Sequence, residues 1–138
     1  MKRPLILAFA ALCLILSSCQ NNRGWDGHDS KAKPDVLAQE SCGCIYEIME
    51  SDPELDVDVI VSEMEAYKKH QESGAPGSIA EKFPEIGKAL MNMQKITEMV
   101  DGSPCMEGVD EKALGQGVPI EDVLDALDKH CALAIFYN

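Results

Sequence analysis

Residues 35–50 read DVLAQESCGCIYEIME, and the spacing of their apolar members decides the fold. At 100° per residue Leu37, Ser41, Cys44 and Ile48 share one stripe of a helix, and Ala38, Cys42, Ile45 and Met49 broaden it on one side. Gln39, Glu40, Gly43, Tyr46, Glu47 and Glu50 fall on the other face. Pro34 stands just before this stretch, where a helix start tolerates a residue without an N–H.

The pattern continues along the chain. Asp52-Pro53-Glu54 reads as an N-cap, a proline in the first helical position and an acid in the first turn. Val57, Ile60, Val61, Met64 and Tyr67 then recur at helical spacing. Leu55, Val57, Val59 and Val61 also alternate like a strand, but the helical period persists past Val61 and the cap supports it. Residues 71–77, QESGAPG, read as a turn. Ser78 to Glu81 fits a capping box, and Ile79, Phe83, Ile86, Leu90, Met93 and Val100 form a long seam in which Pro84 and Gly87 predict a kink or a break. Asp101-Gly102-Ser103-Pro104 ends it, and residues 105–118 are expected to be loop with one helical turn around Asp110 to Leu114. The last helix is expected from Pro119 onward, with Ile120, Val123, Leu124, Leu127, Cys131, Ala134 and Ile135 on one stripe. The expected fold is all-α, a small antiparallel bundle of about four helices over residues 35–138.

The other end of the chain carries an export pattern. Lys2 and Arg3 precede an uncharged apolar run from Leu5 to Leu16, too short to span a bilayer as a stable helix and laid out like a secretory signal. Leu16-Ser17-Ser18-Cys19 follows directly and resembles the lipobox of bacterial lipoproteins. That resemblance implies cleavage after Ser18, a diacylglyceryl group on the Cys19 thiol, and attachment to the membrane through lipid. It further implies a place in the bacterial cell envelope. Gln20, in place of an Asp retention signal, implies the outer membrane if the cell has one. Residues 1–18 are then signal peptide, 19–34 the lipidated cysteine with a flexible tether, and 35–138 the domain. Trp25, the sole tryptophan, falls in the tether and reads as an incidental linker residue. Removing residues 1–18 takes away Lys2 and Arg3 but no acid, so the net charge moves from −12 to −14. So acidic a chain is unsuited to nucleic acid or to anionic lipid surfaces, which leaves lipid as the anchor.

Cysteine chemistry is the remaining signal. Cys13 leaves with the signal and Cys19 is assigned to lipid, so Cys42, Cys44, Cys105 and Cys131 remain, an even number in an exported domain. Residues two apart on a helix point about 200° apart, so Cys42 and Cys44 must each reach a different neighbour. Two cross-pairings satisfy this. Cys42–Cys105 with Cys44–Cys131 is favoured, because Cys44 and Cys131 both lie on core stripes; Cys42–Cys131 with Cys44–Cys105 is the other. A periplasmic soft-metal carrier is the alternative reading, with Cys42, Cys44, Cys105, Cys131 and His130 as ligands to zinc or Cu(I). Met49, Met64, Met91, Met93, Met99 and Met106 would suit a soft metal but more simply fill a core poor in aromatics. A third reading is thiol–disulfide exchange through a Cys42-Gly43-Cys44 ring. Asp52, Glu54, Asp56, Asp58 and Glu63 stand at calcium-loop positions, but Val57 occupies the place of the required glycine. His28, His70 and His130 are dispersed, and neither a Ser/His/Asp set nor a phosphate loop stands out. No enzyme and no cofactor are expected. The expected protein is a non-catalytic envelope lipoprotein with a disulfide-stabilised helical domain that meets an unknown envelope protein.

Overall fold

The computed structural model describes residues 23–73 and 79–137. The signal segment, Cys19 and Ser78 lie outside them. All regular elements among the described residues are helical, and the four domain cysteines form two disulfides. The expected count of about four is too low: six helices have eight residues or more.

Helix α1 spans Lys33–Glu50, with Pro34 in its first turn. Helix α2 spans Val57–Ser73, starting later than the Asp52 cap suggests. The Asp52 carboxylate instead accepts the Glu54 N–H at 3.0 Å and closes a separate turn. Asp56 takes the capping role, with its carboxylate 3.3 Å from the Val59 N–H and its carbonyl accepting from Ile60. The long seam divides into α3 (Ile79–Lys82), α4 (Pro84–Met91) and α5 (Met93–Asp101). The break before Pro84 follows from proline's missing N–H and its clash with the preceding residue, which holds Phe83 at φ −132°, ψ 72°.

Two expectations in the C-terminal half are corrected. Residues 105–118 are not a loop: α6 runs Pro104–Gln116. Ser103 Oγ accepts the Met106 N–H, Pro104 occupies the first turn, and Gly117 at φ 67° closes the helix in the left-handed region. The last helix, α7, spans Ile120–His130 and stops short of Ile135. Cys131 is extended, at φ −106°, ψ 120°, because it forms an antiparallel bridge with Trp25. A short 3-10 turn, Ala134–Phe136, follows and buries Phe136 completely.

Helix α1 is the hub. It packs against α7, α6, α5, α2 and the 3-10 turn, while α4 covers α2. Leu37, Ala38, Ile45 and Met49 of α1 meet Ile60, Ile96, Val100, Val123, Leu127 and Leu133 in one core. No helix among the described residues is long and apolar enough to cross a membrane.

Trp25 corrects the tether. It is only 4% exposed and belongs to the core. Its indole N–H donates to the His28 carbonyl at 2.9 Å, which satisfies the one polar group a buried tryptophan carries. The neighbouring backbone is fastened as well, since the Asp26 N–H donates to the His130 carbonyl and the Ala132 N–H to the Gly24 carbonyl. Gly24 is required here: its φ is +90°, and a Cβ would stand 3.3 Å from the Leu133 side chain. The packed part of the chain therefore reaches back beyond residue 35 to include Gly24 and Trp25. Trp25→Ala is expected to cost about 3–5 kcal/mol in urea or thermal unfolding, whereas a free tether residue would change stability by less than about 0.5 kcal/mol.

Candidate functional site

The most chemically distinctive region is the surface of α1 that carries its two cysteines. Cys42 bonds Cys131 and Cys44 bonds Cys105, each with a Cα separation of 5.8 Å. This corrects the favoured pairing of Cys42 with Cys105 and Cys44 with Cys131. The physical reason lies in the two helix ends misplaced above. Cys105 belongs to the first turn of α6, which packs on the Cys44 side of α1. Cys131 has left α7 for extended backbone beside Trp25, which carries it to Cys42. The divergence of Cys42 and Cys44 holds, and so does the inference that each reaches a different neighbour. No Cys42-Gly43-Cys44 ring forms.

Because the four sulfurs are bonded in two pairs, they offer no thiolate for a metal in this state. His130 is engaged elsewhere. Its Nδ1 lies 2.7 Å from Asp26 Oδ2, and its ring stacks on His28 at 4.0 Å between centroids, 4° from parallel. His28 Nε2 in turn lies 3.5 Å from Asp35 Oδ2, and the Trp25 ring tilts against His130 at 5.4 Å. Burial opposes ionisation of Asp26, but the hydrogen bonds from His130 and the His28 N–H, with the positive charge of both imidazoles, outweigh it and hold the carboxyl below its ordinary value. At Asp35 the hydrogen bond from Ser30 does most to lower the carboxyl, with His28 adding to it against burial. Sequence spacing could not bring His28 to His130, but a lone tryptophan flanked by Gly24 and Gly27 in an aromatic-poor chain was a signal that this segment packs.

The acidic run after α1 has separate structural tasks. Asp52 closes its turn and lies 3.4 Å from Lys95 Nζ, and Asp56 caps α2. Asp58 accepts the Tyr46 hydroxyl at 2.6 Å, a bond that with burial pushes the tyrosine up to about 12. Glu63 accepts the Ile86 N–H at the start of α4. Among the described residues no group of three or more His, Cys, Asp or Glu is arranged to hold a metal ion. Of the methionines, Met49, Met64 and Met106 are buried in the core, whereas Met91 is 89% exposed.

Two surface depressions flank α1. One, of about 520 Å³, lies between Arg23–Asp26, Tyr46 and the α2 residues Asp58, Val61 and Glu65. The other, of about 430 Å³, runs between α1 and α6 over the Cys44–Cys105 bridge. No family model, curated protein or solved structure matches this chain.

The lowered Asp26 carboxyl has a definite sign in its effect on stability. Its contribution is fully present above the ordinary value of 3.8 and is lost as pH falls through the lower folded-state value. Asp26→Asn is expected to cost about 0.5 kcal/mol near neutral pH, the modest value of a half-exposed pair. The gap from the parent protein should close as unfolding is measured at successively lower pH through the carboxylate range.

Proposed function

We propose that the chain is a lipid-anchored, non-catalytic envelope lipoprotein whose disulfide-stabilised helical domain is an interaction module for another envelope protein. The observation that carries this is the Leu16-Ser17-Ser18-Cys19 lipobox directly after a charge-free apolar run. The two disulfides fit it, because such bridges persist in oxidising compartments.

The packed position of Trp25 gives the anchor a shorter reach than a fifteen-residue tether would. Only Gln20, Asn21 and Asn22 separate Cys19 from Arg23. Four Cα steps at full extension span at most roughly 14 Å. The lipid would thus hold the Arg23 end of the domain beside the headgroups and direct the distal surface toward a partner. A net charge of −14 on the mature chain keeps the remaining surface from lying flat on anionic lipid. Gln20 favours the outer membrane where the cell has one.

The test is processing of the full chain with Cys19→Ser. Uncleaved precursor that lacks acyl mass is expected, while the parent is cut after Ser18, carries acyl mass and partitions with outer-membrane lipid. Normal processing of the variant would overturn the proposal.

A further inference from the structure

The two disulfides differ sharply in access. Cys42 and Cys131 are 1% and 2% exposed. The Arg23–Trp25 segment lies over Cys42, where a Cβ on Gly24 would stand only 3.5 Å from its sulfur. Cys105, by contrast, is an exposed residue, and although Cys44 is only 3% exposed, the bridge between them borders the groove of about 430 Å³ between α1 and α6. A glycine stands in the groove wall on each side of the bond. Gly43 adjoins Cys44 on α1, and Gly108 lies one turn beyond Cys105 on α6; a Cβ at either would meet nothing within 4 Å. The carboxylates bordering the groove are already paired, Glu47 with Arg23 at 2.6 Å and Glu40 with Lys112 at 2.9 Å. An incoming anion therefore meets a balanced rim in an otherwise acidic protein.

We propose that Cys44–Cys105 is a thiol-exchange site, opened by a low-molecular-weight cysteinyl thiol that enters the α1–α6 groove, while Cys42–Cys131 serves as the permanent bond. The groove volume is in the range of small-ligand sites, and a rim carrying both signs suits the ammonium and carboxylates of a cysteinyl peptide. The thiolate attacks the sulfur of Cys105, the exposed partner. A new bond forms between the two as the Cys44–Cys105 bond breaks, and the electron pair leaves on Cys44, which takes a proton from solvent. A second thiolate then displaces Cys105 in the same way. Two thiols are oxidised to their disulfide, and the bridge is reduced to two thiols. Cys105 stands in the first turn of the thirteen-residue α6, whose positive end favours thiolate at that position once the bridge is open. Opening this bond frees the start of α6 from α1, while the second bridge keeps the chain ends joined. The inference does not depend on lipid anchoring.

The test treats the full chain with limiting reduced glutathione, quenches with acid, alkylates, and maps the cysteines after digestion without reductant. Glutathione on Cys105 and alkylation of Cys44 are expected at least tenfold faster than any labelling of Cys42 or Cys131, with helical circular dichroism unchanged. Equal rates for the two bridges, or labelling only under unfolding conditions, would refute the site; glutathione on Cys44 instead would refute the direction of attack. Gly108→Leu should slow exchange at least fivefold relative to Gly108→Ala, which shares its gain in helix propensity but leaves the groove open. Identical rates for these two variants would exclude the groove as the route.

Discussion

Two residues apart on one helix, Cys42 and Cys44 point about 200° apart, and the rest of the fold is arranged around that divergence. Cys42 holds Cys131, whose extended backbone also pairs with Trp25, so both ends of the described chain are drawn to one side of α1. Cys44 holds the start of α6 on another side. The bridges are nested, one closing residues 42–131 and the other 44–105 within it. On the chain-entropy account each is worth at most roughly 4–5 kcal/mol, and the shared loop makes the pair worth less than the sum. That is a large share of stability for a small domain with few aromatics.

The polar groups complete this arrangement rather than compete with it. The chain has twice as many acids as Lys and Arg, 24 against 12, yet many of its acids have local work: capping α2, receiving the Tyr46 hydroxyl, or pairing with Lys95, Lys112 and Arg23. The Asp26–His130 and His28–Asp35 contacts fasten the N-terminal segment across the end of α7, beside the buried bridge. One side of α1 is thereby closed and covered, and the α6 side keeps a groove over a disulfide whose Cys105 end is exposed. The functional proposals follow that asymmetry. The proposals put the lipid anchor toward the covered side, where the chain enters at Arg23, and thiol exchange on the α6 side.

Much of the fold was legible in local pattern. Helix α1, the register of α2, the break at Pro84 and the stop at Gly102 follow from apolar period and from proline and glycine chemistry, which act over a few residues. Helix α6 was legible in part. Its signals, Ser103-Pro104 at one end and Gly117 at the other, were present in the sequence, but interior Gly108 and Gly115 argued for a loop. Packing against α1 outweighs the roughly 1 kcal/mol that each glycine costs a helix. The end of α7 was not legible, because Ile120 to Ile135 keeps an unbroken helical stripe. Only the pairing of Cys131 with Trp25 draws that residue into extended backbone.

By itself the sequence determined the all-helical class, the lipobox resemblance at Cys19, and the rule that Cys42 and Cys44 cannot bond each other on one helix. Each of these rests on spacing within a short segment or on the chemistry of single residues. Only the tertiary structure decided which cysteine meets which, that Trp25 is core rather than tether, and that His28 stacks on His130. Those are contacts across about ninety or more residues for Cys42–Cys131, Trp25–Cys131 and His28–His130. They depend on where α6 and α7 dock on α1, and periodicity tells which face of a helix is buried without telling what buries it.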